Sequence, residues 1–209
     1  MAKLLIFGGT FDPVHNGHLL TARAAMNMLQ AQRVVFVPAN TSPHKLSTPQ
    51  CATPPQHRLA MLQLAMGNDP AMEDDPAMEV SAVELLRPPP SYTMDTLAIL
   101  RRARPGDTLI LLVGADQLPA LNTWKEIDTI LATTPIAILP RPGFEVPNKP
   151  PGNFGDDVWK KVIGGVLKIP QYSISATAIR RAIAQGQPVS DQIPEAVMAY
   201  IRNHRLYQK

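Results

Sequence analysis

The chain has a single cysteine, Cys51, among 209 residues, so no internal disulfide framework exists and a reducing compartment suits it. No apolar stretch approaches the roughly 18 residues of a membrane span. The opening run Leu4 to Phe7 is too short for the core of a secretory signal. Charge of one sign is scarce as well: 20 Lys and Arg against 17 Asp and Glu leave +3, too weak a surplus to mark a nucleic-acid face. There is no internal repeat and no low-complexity tract. These absences predict a soluble, cytoplasmic protein with neither nucleic acid nor membrane as a partner. Oligomeric state is not fixed by the sequence, and a homo-oligomer fits it. At 45% apolar residues the chain can bury a core without staples, and its length fits one domain over 1–209 with a helical last part, roughly 175–209.

Proline, by contrast, is abundant, with 22 residues gathered into clusters. Pro38 to Pro55, Pro88 to Pro90 and Pro140 to Pro151 hold most of them. Because proline breaks helices and central strands, these clusters predict three long loops.

Between the loops, short apolar runs alternate with helical patterns. Strands are expected at Lys3 to Gly8, Arg33 to Val37, near Met78 to Val83, Thr108 to Val113, Pro135 to Leu139 and, weakly, Val162 to Ile169. Helices are expected at Gly17 to Leu29, with Leu20, Ala24 and Met28 four apart, and at Gln56 to Met66, with Leu59, Leu62 and Met66 on one side. Further helices are expected at Tyr92 to Arg102, Trp124 to Leu131, Ser175 to Ala184 and Pro194 to about His204. Residues 142–158 read as a loop. The alternation predicts an α/β fold, a Rossmann-like parallel sheet with helices on both faces and a small C-terminal helical portion. In such sheets ligands sit beyond the carboxyl ends of the strands. Chemistry is therefore expected after the strands that start near Leu4, Val34, Thr108 and Val162.

The first of these places reads GGTFDPVHNGHL, Gly8 to Leu19. It leaves a strand and opens a helix, the setting a phosphate-binding turn requires. Gly8 and Gly9 permit a tight turn and close backbone approach. Asn16 is a natural N-cap, which would leave the following N–H groups free to face an anion. His15 and His18 are about one turn apart, so both rings can project from one side, with Gly17 between them. The residues alone also allow a capping or surface role for the histidines. Half of a zinc pair is a further option, although helical zinc pairs favour i, i+4 spacing and need a third ligand that is not visible nearby.

This segment resembles the H-x-G-H signature of the nucleotidylyltransferase superfamily. ISATAIR, Ile174 to Arg180, is similar to that superfamily's IS-[ST]-T-x-[IV]-R element at the far end of the chain. SPHK (Ser42 to Lys45), PSYTMDTL (Pro90 to Leu97), GADQLPALNTW (Gly114 to Trp124) and the tail AYIRNHRLY narrow the resemblance to the bacterial nicotinate-nucleotide adenylyltransferases. The resemblance runs from the first strand to the C-terminal end and is weakest over 142–158.

The resemblance implies ATP and nicotinate mononucleotide as substrates, deamido-NAD and pyrophosphate as products, and Mg²⁺ carried on the ATP phosphates rather than in a protein cage. It implies ATP contacts from Gly8, Gly9, Thr10, His15, His18, Ser175, Thr177 and Arg180. His18, His15, Lys45 and Arg180 are the residues implied in turnover, and a histidine facing polyphosphate is expected to lean towards its cation. For the mononucleotide it implies His44, Lys45, Thr93, Asp116, Trp124, Lys125 and Arg141. Trp124 would stack on the pyridine ring, and backbone N–H groups near Thr93 and Lys125 would suit its carboxylate. Lys125 stands where the family often has an aromatic residue. Alternatives at this stage are a relative with another acceptor, such as nicotinamide mononucleotide or phosphopantetheine, and a non-catalytic ATP-binding module.

Overall fold

The computed structural model describes residues 1–41, 53–67 and 77–208. The first apolar run becomes the middle of a five-stranded, all-parallel sheet. Its strands are β1 (Lys3–Gly9), β2 (Arg33–Pro38), β3 (Met78–Val80), β4 (Thr108–Gly114) and β5 (Ile136–Leu139), in the order β3-β2-β1-β4-β5. Both neighbours of β1 are in register with it: Leu4 lies opposite Arg33 on one side and Leu109 on the other. A strand enclosed this way has no solvent-facing side, which is why Leu4 to Phe7 are apolar at every position rather than at alternate ones.

Alternation along β1 divides the core in two. Leu5 and Phe7 face a layer built by α1 (Asn16–Leu29), α2 (Pro55–Gly67), α6 (Ala176–Ala184) and α7 (Glu195–Asn203). Leu4 and Ile6 face α3 (Thr93–Ala103), α4 (Ile127–Thr133) and α5 (Asp156–Gly164). Helices thus cover both faces of the sheet, the expected Rossmann-like architecture. The order of strands reverses between β1 and β4, opening a crevice beyond their carboxyl ends. Among the described residues no helix is long and apolar enough to cross a membrane.

Several local expectations change. The strand expected over Val162 to Ile169 does not form: its first three residues end α5, which begins inside the segment read as loop and buries Trp159 and Val162, three apart. Beyond it the chain joins the sheet through one parallel bridge, Val166 beside Ile138, with the Gly165 carbonyl accepting from Ile138 N–H and Leu167 N–H donating to the Ile138 carbonyl. In α1 the buried residues are Gly17, Leu19, Ala22 and Ala25, whereas Leu20 and Met28 are exposed. The helix is apolar on more than one side, so four-residue spacing did not select the inward face. In α2 the buried face is Arg58, Met61, Leu62 and Ala65, with Leu59 and Met66 only half-buried. The helix expected from Trp124 is shorter, and a 3₁₀ segment, Ala115–Thr123, precedes it. Trp124 lies between the two, in extended backbone.

Candidate active site

The crevice between β1 and β4 deepens into a cavity of about 1040 Å³. Its wall takes Gly8 to Asp12 from the end of β1 and the turn after it, His18 from the first turn of α1, and Ala176, Thr177 and Arg180 from α6. The two signature segments therefore share one pocket. They also touch directly: Arg180 Nη1 donates to the Asp12 carbonyl at 2.7 Å. A Cβ on Gly17 would lie 3.0 Å from His15 Nδ1 and 3.3 Å from Ile174, so glycine is what lets α1 and the ISAT segment close together.

The turn is not made by its glycines. Gly8 and Gly9 remain in β1, and the positive φ falls on Phe11, at 51°, a conformation a bulky residue adopts only under constraint. Phe11 is held by Phe7 and Phe36, with ring centres 5.5 and 5.6 Å away, and a Cβ on Gly9 would strike its ring at 2.8 Å. Gly8, in contrast, borders the open cavity.

The N-cap of α1 is His15 rather than Asn16; Asn16 is helical, and its amide donates to the Asp191 carbonyl. His15 and His18 are stacked, with ring centres 3.7 Å apart. His18 faces the cavity, while His15 is buried and absent from its wall. The His15 backbone N–H donates to His18 Nδ1 at 3.3 Å, which leaves the His18 proton on Nε2 as the ring's donor. Burial and the Arg141 cation lower the His15 pKa to about 3. Burial, His15 and Arg141 likewise hold His18 well below the ordinary histidine range. Without a polyphosphate both rings are neutral, so the cationic bias expected from sequence is not built into the turn itself. Both take up protons on unfolding but not when folded, so stability is full above the unfolded value of 6.5 and falls as pH drops below it towards about 3. Urea midpoints measured between pH 8 and 4 should decline accordingly, and His15→Asn should flatten the slope.

Ser175 caps α6, its hydroxyl accepting from Ala178 N–H at 3.5 Å, and it does not border the cavity. Thr177 Oγ1 accepts from Arg180 Nη2 at 3.4 Å. Thr10 borders the cavity, and its carbonyl accepts from Arg58 Nη1 at 2.8 Å. His44 and Lys45 lie outside the described residues.

Across the cavity, Thr93, Asp116, Trp124, Lys125 and Arg141 all contribute to the wall. Trp124 Nε1 is buried with no hydrogen-bond partner among the described residues. Arg141 Nε lies 3.5 Å from Asp116 Oδ1, and a Cβ on Gly114 would push that carboxylate aside, so glycine where β4 ends lets the pair sit as it does. Lys125 Nζ is 3.4 Å from Asp95 Oδ1 and 4.8 Å above the Tyr92 ring. Its charge is thus partly engaged rather than free for a ligand.

Three groups at the site escaped sequence reasoning. Arg58, only 1% exposed, donates to the carbonyls of Thr10, Thr53 and Asn40 at 2.8, 2.9 and 3.2 Å. Burial lowers its pKa, against the pull of Asp12, Tyr207 and Glu84, but a guanidinium starts so high that it stays charged. Glu84, buried in the cavity wall, accepts from Thr96 Oγ1 at 2.7 Å, and its burial raises its pKa. Tyr207 donates to Asp12 Oδ1 at 2.6 Å. Arg58 and Glu84 belong to no recognisable spacing and are brought in by tertiary packing; Tyr207 closes the tail AYIRNHRLY, whose resemblance gave it no role.

Among the described residues no three His, Cys, Asp or Glu side chains gather as a metal site. The cavity carboxylates are engaged instead, Asp12 by Tyr207, Glu84 by Thr96 and Asp116 by Gln117.

Residues 6–182 match the family described as Cytidylyltransferase-like. A protein of Thermomicrobium roseum named "Probable nicotinate-nucleotide adenylyltransferase" is 40% identical over all of this chain and 92% of its own length. The nicotinate-nucleotide adenylyltransferase of Bacillus subtilis is 34% identical over the full length of both. In fold, the chain superposes on the Plasmodium falciparum nicotinic acid mononucleotide adenylyltransferase complexed with NaAD, with a TM-score of 0.77, 19% identity, and coverage of 99% of this chain and 98% of that one. With relatives this similar along the whole chain, and both signature segments on one pocket, the chain belongs to the nicotinate-nucleotide adenylyltransferases of the Cytidylyltransferase-like family.

Proposed function

We propose that this cavity holds ATP and nicotinate mononucleotide end to end and transfers the adenylyl group between them. A 5′-phosphate oxygen of the mononucleotide attacks the α-phosphorus in line. The bond to the bridging oxygen of the β-phosphate breaks, giving nicotinate adenine dinucleotide and pyrophosphate. The nucleophile is already an anion, so catalysis consists of alignment and of neutralising charge that grows on the α-phosphoryl and leaving group. Mg²⁺ arriving on the phosphates would supply part of that neutralisation.

The observation that carries this reading is the shared wall: His18 from the first turn and Arg180 from α6 border one cavity, opposite Trp124 and Thr93. In this scheme Gly8, Gly9 and Thr10 admit the phosphates against bare backbone. His18 donates from Nε2 to the reacting phosphoryl, with His15 stacked behind it as a support, and Arg180 and Thr177 take the outer phosphates while Ser175 fixes the start of α6. Trp124 stacks on the pyridine ring, backbone N–H groups at Thr93 and Lys125 receive its carboxylate, and the Asp116–Arg141 pair orders the mononucleotide's sugar-phosphate. For His44 and Lys45 a phosphate role is proposed on resemblance alone.

Pyrophosphate release from ATP with nicotinate mononucleotide tests the proposal. Release with phosphopantetheine or nicotinamide mononucleotide but not with the nicotinate compound would refute it. Trp124→Ala should raise KM for the mononucleotide about tenfold and leave KM for ATP near its original value. A rise confined to ATP would put the pyridine ring elsewhere.

A further inference from the structure

Asp12 is held by three distant parts of the chain. Its carboxylate accepts from Tyr207 OH at 2.6 Å through Oδ1 and from the Thr53 backbone N–H at 3.2 Å through Oδ2. Its carbonyl accepts from Arg180 at 2.7 Å. Tyr207 comes from the segment after α7 and reaches this position through strained backbone: Arg205 and Tyr207 both have positive φ, 51° and 62°. Tyr207 and Arg180 stand together in the cavity wall. Burial and the neighbouring Asp12 carboxylate push the phenol above its ordinary range, so Tyr207 keeps its proton and acts as the donor.

An arginine beside a buried carboxylate normally grips it with two parallel N–H groups. Arg180 does not. It spends Nη1 on the Asp12 carbonyl and Nη2 on Thr177 Oγ1, while both Asp12 carboxylate oxygens are already occupied. We propose that Tyr207 is a positioning residue for the outer-phosphate site: by occupying Asp12 Oδ1 it keeps that carboxylate off Arg180, so the guanidinium stays turned to the nucleotide. The inference rests on the phosphate role proposed above for Arg180. It adds a residue outside both signature segments, one that acts on ATP without touching the reacting atoms.

Tyr207→Phe keeps the ring and removes only the donor. KM for ATP should rise about tenfold, the scale of one lost buried hydrogen bond to a charged acceptor, while KM for the mononucleotide stays within about twofold. A general loss of packing would move both constants and the thermal midpoint together. Asp12→Asn removes the charge that would capture Arg180, so in that background Tyr207→Phe should change KM for ATP by less than about twofold. Original kinetics in Tyr207→Phe, equal shifts for both substrates, or an undiminished effect beside Asp12→Asn would each overturn the proposal. Arg180→Lys separates the two levels. A raised KM for ATP there beside an inert Tyr207→Phe removes only the tyrosine's role, whereas an unchanged KM in Arg180→Lys removes the phosphate role of Arg180 and this inference with it.

Discussion

His18→Ala should lower kcat by about 10²- to 10³-fold, the usual cost of losing one donor aimed at transition-state charge. The ring borders the cavity, its Nδ1 is tied to the His15 backbone, and on the proposed reading its Nε2 proton serves the phosphoryl oxygen. In the ground state water and any Mg²⁺ brought with the phosphates would already stabilise their charge. The greater gain comes as the α-phosphorus passes between oxygens, so kcat should fall more than KM rises. The fold should survive, because the lost Nδ1 contact is a single helix-start bond worth about 1 kcal/mol. Steady-state rates with both substrates saturating, beside a urea titration, check both halves. Turnover equal to that of the unaltered chain would remove His18 from the mechanism.

Arg58→Met should act on stability instead. The methionine fills similar space but leaves the carbonyls of Thr10, Asn40 and Thr53 without their donor. Each buried acceptor left unpaired costs about 1–3 kcal/mol, so a loss of about 3 kcal/mol or more is expected in the urea-derived unfolding free energy. Because one of the three carbonyls belongs to the turn after β1, in the cavity wall, residual activity should also fall. Arg58→Lys should recover only part of the loss, since a single ammonium cannot span three acceptors in a planar fork. A change below about 1 kcal/mol in Arg58→Met would mean that water or other donors reach those carbonyls.

The sequence made the sheet legible where the physics is local. Leu4 to Phe7 and Leu109 to Val113 are apolar at every position because strands covered on both faces leave no polar side, and that signal needs no knowledge of neighbours. It failed where two periods overlap. Val162 to Ile169 is β-branched enough to resemble a strand, but Trp159 and Val162 carry the three-residue step of a helix. The site was legible to the extent that its residues sit in contiguous motifs, which is why His18 and Arg180 could be named in advance. Arg58 and Glu84 could not, because an isolated Arg or Glu has no distinctive spacing, and the tail motif that ends in Tyr207 did not disclose its distant partner Asp12. The glycines show a subtler limit. Gly8-Gly9 suggested a tight turn, yet the left-handed residue is Phe11, held there by aromatic packing that sequence does not display.

The position of β1 between β2 and β4 has a consequence for how the protein is made. Although β1 precedes the other strands in the chain, it gains its second neighbour only after Thr108 has been synthesised, and the turn beyond it gains Arg180 later still. A nascent chain halted before β4 therefore exposes one apolar edge of its central strand, a ready template for pairing with another copy. Products truncated there should be prone to aggregation and unable to grip nucleotide, so this fold delays its competence until α6 has been made.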